Sequence, residues 1–180
     1  MRTVILNILL SILLLSCKND PEVAKLFGNP EDVQVEISED IRLIHSEKGV
    51  TDAIITARIM HRLTINENKT TFPEGLQIEL FEEGTPTAII QAGFGERDEH
   101  NRQLKMTGGV SMINNKQERM DAENLLWNER TATITIEGKV KVTTPTDIIE
   151  GYGLESDDKF QNYKLSRITG IVNVEDDNVP

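Results

Sequence analysis

The sequence predicts an all-β protein built from antiparallel strand pairs. Apolar and polar residues alternate strictly along several segments, which is typical of strands with one buried face and one wet face. These segments repeat at a nearly constant spacing, and turn residues recur every 8 to 15 positions. No segment has sustained helical periodicity with capping residues. The pattern is typical of a sandwich, a barrel or a roll.

The clearest strand lies between Thr131 and Thr144. Its even-numbered positions are apolar on both sides of Gly138, and its odd-numbered positions are polar. A glycine at the centre of a strand predicts a bulge or a bend. Turn residues at 145–147 then lead into a second strand from Ile148 to Leu154.

This strand pair is repeated along the chain. Gly109 and Gly138 are 29 positions apart, and so are Leu125 and Leu154. Looser copies lie at 75–81 and 88–94, a final copy occupies 165–174, and alternating segments at 32–44 and 53–61 precede them. Three strands share an even-numbered apolar face, and a slip of one residue would expose all of it. We therefore predict an inward-facing set made of Leu76, Ile78, Leu80, Leu104, Met106, Val110, Met112, Ile134, Ile136, Val140 and Val142.

The N-terminus has the features of a bacterial lipoprotein signal. A short basic start precedes an apolar run of 12 residues at 4–15, too short for a comfortable membrane span. The run ends in Leu14-Leu15-Ser16-Cys17, which resembles a lipobox, and Cys17 is the one cysteine of the chain. We expect a signal peptide at 1–16, a lipid on Cys17 and a polar tether at 17–31. The alternative is a plain signal peptide, or a short anchor, with an incidental cysteine.

The composition excludes several classes of function. A formal net charge of −11 offers no basic surface for nucleic acid. The three histidines are scattered, no Gly-x-Ser-x-Gly elbow occurs, and the acidic residues fall in turns and on outward strand faces. Trp127 and the glycines at 151 and 153 are interpreted as packing residues. The sequence therefore predicts no catalytic residue, no metal site and no cofactor.

Several short motifs together resemble one known family. They are Phe-Pro-Glu-Gly-Leu at 72–76, Ala-Gly-Phe-Gly at 92–95, and the segments at 121–128, 149–157 and 168–172. In order and spacing, the chain resembles the LptC family of periplasmic lipopolysaccharide export proteins, in a lipoprotein form, over about residues 33–174. One departure is that better-known members use an uncleaved membrane helix, whereas this chain carries the lipobox.

The resemblance implies a fold and a function. The fold would be a twisted, open β-jellyroll, LptA/LptC-like, at 32–175, followed by an acidic tail at 176–180. Its groove, lined by the inward-facing set, would hold lipopolysaccharide acyl chains and pass them to the next bridge protein. The implied partners are lipopolysaccharide, an ABC-transporter membrane complex that supplies the energy, and another jellyroll protein. The docking edge would be the last strand, with Leu165, Ile168, Gly170 and Val172.

The implied location is the periplasmic face of the inner membrane, held there by the lipid on Cys17. Two other functions remain open from the residues alone. A β-rich lipoprotein that binds only protein partners would show the same alternation over a closed core. A glycan hydrolase would need two carboxylates held across a cleft, and nothing in the sequence predicts such a pair.

Overall fold

The structure is a computed structural model, and it describes residues 35–63 and 68–173. The described residues contain no helix with the length and apolarity that a membrane crossing requires. Cys17, the predicted signal peptide and tether, and the acidic tail lie outside them. The strands are β1 (Val35–Glu47), β2 (Val50–Leu63), β3 (Lys69–Phe72), β4 (Leu76–Glu82), β5 (Thr85–Asp98), β6 (Gln103–Asn114), β7 (Arg119–Asn128), β8 (Thr133–Thr143), β9 (Asp147–Asp157) and β10 (Tyr163–Asn173).

The strands form one antiparallel sheet in which chain neighbours are mostly sheet neighbours. β3 and β4 are the exception, since both lie between β2 and β5, one beyond the other. The turn at Pro73–Gly75 separates them, as the sequence predicts. β1 pairs with β2 and β10 pairs with β9, so these two strands are the edges of the sheet. The sheet is therefore not closed into a barrel.

One face of the sheet is buried by folding over itself. A single sheet without covering helices has no other way to remove an apolar face from water. One inward row of cross-strand neighbours runs from β1 to β10 and is aliphatic throughout: Leu43, Ile55, Ile78, Ile90, Met112, Met120, Val142, Ile149 and Ile171. A second row contains Leu76, Ala92, Val110, Ala122, Val140, Gly151 and Ile168. The all-β, open β-jellyroll is confirmed.

Bulges lie at one level across most of the sheet. The register shifts at positions 93, 108, 123, 138 and 153, which are 15 residues apart, and again between Ile168 and Gly170. The bulge predicted at Gly138 is confirmed by the shift between Ile136 and Lys139. Because a bulge bends its strand, this line lets consecutive strands bend together and the sheet fold over.

Close backbone contact requires glycine on this line. A Cβ atom at Gly93 would lie 2.6 Å from the carbonyl oxygen of Gly108 on the next strand. Gly75, in the turn between β3 and β4, has a φ of +88°, and a Cβ there would lie 2.5 Å from the Ala92 carbonyl oxygen. Neither carbonyl oxygen can move without moving the strand that carries it.

The turn between β9 and β10 inserts an aromatic ring into the core. Phe160 is fully buried and stacks on Tyr163 with ring centroids 4.7 Å apart. Its carbonyl oxygen accepts a hydrogen bond of 2.6 Å from Asn114 Nδ2, which links this turn to the end of β6. The Asp157 carboxylate holds the turn by accepting from the backbone N–H groups of Gln161 and Asn162 at 2.8 and 2.9 Å. The alternation of apolar and polar residues does not predict this insertion, because the ring lies in a turn.

Candidate functional site in the sheet interior

The predicted inward-facing set is buried as a whole. None of its eleven members is more than 6% exposed, and all belong to one hydrophobic cluster. Only Leu80 among them lines the cleft described below. The interior is thus packed closed around these side chains. Their role in binding a lipid stays a prediction.

A cleft of about 360 Å³ opens into the interior of the roll. That size is at the low end for small-molecule sites, which range over about 300–1,000 Å³. Apolar side chains from β1 to β7 form part of its wall: Leu43, Ala53, Ile55, Phe72, Leu80, Phe81 and Trp127. Ile44 and Ala132 also line the cleft, and the other lining residues are polar or charged.

A charged network occupies one part of the cleft wall. Arg97 makes a two-pronged ion pair with Glu129, with Nε–Oε1 and Nη2–Oε2 distances of 2.6 and 2.8 Å. Arg97 also pairs with Glu99, which accepts a 3.0 Å hydrogen bond from Thr70 Oγ1. The Glu129 hydrogen bond raises the pKa of Arg97 and outweighs the opposing effect of burial. The guanidinium is therefore a fixed positive charge inside the roll.

The strand register places this network on the inward face beside Trp127. One row of cross-strand neighbours contains Arg62, Thr70, Arg97, Leu104, Trp127 and Ile134. Leu104 separates Arg97 from Trp127, so their strands are about 10 Å apart at the usual strand spacing. The alternation of apolar and polar residues does not predict this network, because Arg97 and Glu129 are 32 residues apart. The available signal was in β5, where the apolar alternation of residues 88–92 gives way to the charged residues at 96–98.

A second charged group lines the cleft at the β1–β2 hairpin and the β9–β10 turn. His45 Nδ1 lies 3.6 Å from Asp52 Oδ2 on the neighbouring strand. Asp158 also lines the cleft, and burial raises the pKa of its carboxyl group. Lys159 Nζ reaches Glu82 Oε1 at 3.4 Å. These groups add a second set of polar and charged side chains to the cleft wall.

The last strand forms an exposed edge, as the sequence predicts. Leu165 is half-buried and packs on the core, whereas Ile168, Ile171 and Val172 are 53%, 58% and 62% exposed. Gly170 has open space around it, since a Cβ there would meet no atom within 4 Å. Arg167 lies over the Tyr152 ring at 4.6 Å and ties β10 to β9. Whether this edge docks a partner stays a prediction, and Val174 lies outside the described residues.

No group of three or more His, Cys, Asp or Glu side chains within residues 35–63 and 68–173 could hold a metal ion. The fold and interior define an open β-jellyroll with an aliphatic inside, a small mixed cleft and two unpaired edges.

The family model described as "Lipopolysaccharide-assembly, LptC-related" matches residues 3–172. The chain belongs to this family. It is accordingly an envelope component of lipopolysaccharide transport, from a family of transport proteins that interact with lipopolysaccharide and with the export complex. No curated protein matches the chain.

Proposed function

We propose that this chain receives the acyl chains of lipopolysaccharide in the interior of its roll and passes them to the next bridge protein. The observation that carries the proposal is the aliphatic row that crosses the sheet from Leu43 on β1 to Ile171 on β10. Such a row offers an acyl chain the same surroundings at every strand. Transfer of hydrocarbon out of water contributes about 0.8 kcal/mol per buried CH₂.

Entry to the interior would lie between the two unpaired edge strands. Ile168 and Ile171 belong to inward rows yet are more than half exposed, so apolar surface continues from the core to the rim of β10. Separating the edges would admit a chain while the strands between them keep their ladders. Met106, Met112 and Met120 in the packed centre can adapt their shape to a guest.

The anchor and the partners complete the proposal. A lipid on Cys17 would hold the domain at the periplasmic face of the inner membrane, beside the ABC-transporter complex that supplies the energy. The exposed edge of β10 would pair with a strand of the next jellyroll, because an unpaired edge offers a row of free N–H and C=O groups. The tether at 17–31 would determine how far from the membrane the domain can extend.

Site-specific photocrosslinking in cells tests this proposal. A photoreactive residue at Ile136 or Val140, both inward and buried, should crosslink to lipopolysaccharide. The matched controls are Glu137 and Lys141, which are exposed on the same strand and should give no lipid adduct. Equal labelling at inward and outward positions, or none at either, would contradict the proposal.

A second candidate is a module that binds only protein partners. It is favoured by the closed packing of the interior, in which Ile134, Val140 and Val142 are at most 1% exposed. The same crosslinks decide between the two functions. Protein adducts from the β10 edge without lipid adducts from the interior would support the second.

A further inference from the structure

We infer that the cleft beside Trp127 is a subsite for the polar end of a single acyl chain, and that it selects chains bearing a carbonyl next to an anionic head group. The inference rests on the proposed function and adds to it a location and a ligand chemistry. The packed aliphatic core can distinguish acyl chains only by their length and shape. The cleft brings hydrogen-bonding and charged groups together with apolar ones.

The first observation is the unpaired N–H group of the Trp127 indole. Its Nε1–H is shielded from solvent and has no hydrogen-bond partner, the one such buried side-chain polar atom among the described residues. Trp127 is one of the residues that line the cleft. A buried donor without an acceptor is destabilising, and an acceptor entering the cleft removes that cost. Ester and amide carbonyls provide such an acceptor, and a plain hydrocarbon does not.

The size of the cleft carries the second observation. At about 360 Å³ it is small for a ligand site, so it suits one chain rather than a whole multi-chain lipid. Leu43, Ile55 and Leu80, on β1, β2 and β4, provide apolar side chains in the wall of the same cleft. The remaining chains of a large lipid would lie in the roll interior.

The charge arrangement carries the third observation. Four cationic side chains and four carboxylates line the cleft, so its formal charge is balanced within a chain of net charge −11: Arg62, Arg97, Arg102 and Lys159 against Asp52, Glu99, Glu129 and Asp158. Arg97 is occupied by both carboxylates. Arg102 is half-exposed and lies 4.0 Å from Glu129, too far for a hydrogen bond. Its guanidinium can therefore turn toward a phosphate while the Arg97 network stays intact.

Trp127 is the one tryptophan of the chain, so intrinsic emission reports on the cleft alone. The purified full chain is titrated, below micelle formation, with 1-myristoyl lysophosphatidate and with its ether analogue. The two probes share chain length and phosphate, and only the ester has a carbonyl. We expect the ester to shift the emission and to bind about fivefold more tightly than the ether, the value of one neutral hydrogen bond. Inorganic phosphate alone should leave the emission unchanged.

Two variants locate the effect. Trp127→Phe removes the N–H and should abolish the preference for the ester, as measured by calorimetry, while both probes still bind. Arg102→Gln should weaken both probes about threefold and leave monomyristoylglycerol, which lacks phosphate, unaffected. Arg130→Gln is the matched control, because Arg130 is exposed and does not line the cleft.

The outcomes separate this inference from the proposed function. Equal binding of ester and ether by the wild-type chain overturns the carbonyl subsite, whatever the behaviour of the variants. Lipopolysaccharide crosslinks at Ile136 with unchanged Trp127 emission overturn the inference and leave the proposed function standing. Absence of both crosslinks and probe binding overturns both.

Discussion

Ile136 lies near the middle of β8, buried with 2% of its surface exposed. Aspartate at this position would place an unpaired charge in the aliphatic core. We expect Ile136→Asp to lower the free energy of unfolding by about 4 kcal/mol, measured by urea denaturation. Thr135→Asp, on the outer face of the same strand, is the control and should cost about 1 kcal/mol or less. Equal costs for the two variants would show that the alternation is not what buries this strand.

Gly93 and Gly138 lie on the same line of bulges but differ in the space around them. Alanine at Gly93 would press on the Gly108 carbonyl at 2.6 Å, whereas the nearest atom to a Cβ at Gly138 is Asn124 Nδ2 at 4.0 Å. We expect Gly93→Ala to cost about 2 kcal/mol or more of stability and Gly138→Ala to stay within about 0.5 kcal/mol of wild type. Thermal and urea unfolding of both variants check this. A neutral Gly93→Ala would contradict the close approach of β5 and β6.

The sequence predicts single residues well where one parity runs through a strand. β6 and β8 keep their even-numbered inward face across their bulges, so the residues assigned to them are buried. In β7 the buried positions change from Met120 to Leu125 and Trp127, because one residue fewer spans the bulge. The alternation along one strand cannot locate this change in the buried positions, because it depends on the pairing with the neighbouring strand. The Arg97–Glu129 ion pair cannot be predicted from alternation for the same reason, since it depends on which strands become neighbours.

At the scale of the element, Asp157 determines the turn that inserts Phe160. Burial acts to raise the pKa of Asp157, but the hydrogen bonds from Gln161 and Asn162 outweigh it and lower that pKa. A lowered pKa means that the ionised carboxylate stabilises the fold above the unfolded value of about 3.9, and that this contribution disappears as pH falls through the folded pKa.

Asp157→Asn should therefore destabilise the protein at pH 7 by about 1 kcal/mol or more, because the amide cannot accept at both of its atoms. The difference from wild type should shrink as the pH falls below about 4. Urea denaturation between pH 3 and 7 measures it. Asp98→Asn serves as a comparison in an exposed turn, where Asn101 and His100 donate to the carboxylate. A difference for Asp157→Asn that grows on acidification would contradict the role assigned to the ionised group.

The edge strand β10 is the second element with a direct prediction. Gly170→Pro removes a backbone N–H from the exposed strand, and deletion of 165–174 removes all of the strand except its first two residues. We expect both changes to abolish pull-down of the neighbouring jellyroll more than lipid binding by the domain. Gly170→Ala is the matched control, because open space accepts its Cβ and the N–H remains. A folded Gly170→Pro protein that recruits its partner at wild-type affinity and supports growth would place the docking edge elsewhere.

The sequence predicts which segments form strands better than it predicts where those strands begin and end. The segment predicted at 53–61 is part of a strand of 14 residues, and the one at 148–154 is part of a strand of 11. Polar residues end the alternation before the ladder hydrogen bonds end, because the outer turns are in solvent. The short β3 has too few residues to show a period and was not predicted.

At the scale of the whole molecule, the proposed lipid anchor would determine which membrane surface holds the domain. We expect Cys17 to be the first residue of the mature protein and to carry the lipid. Cys17→Ala should abolish incorporation of a radioactive fatty acid and release the chain from the membrane fraction. The Ser16→Ala variant, with a small residue kept before the cysteine, should be labelled normally. Label that persists in Cys17→Ala would contradict lipidation at this position.

The line of bulges also determines how the roll can change its volume. Ladder hydrogen bonds are already interrupted along that line, so a change in the angle between the two parts of the sheet breaks no further pairing within either part. The line therefore acts as a crease. Most strands cross it, so they would bend together when the angle between the two parts of the sheet changes. Under the proposed function, a change of angle along this crease would let the interior hold no acyl chain, one chain or several.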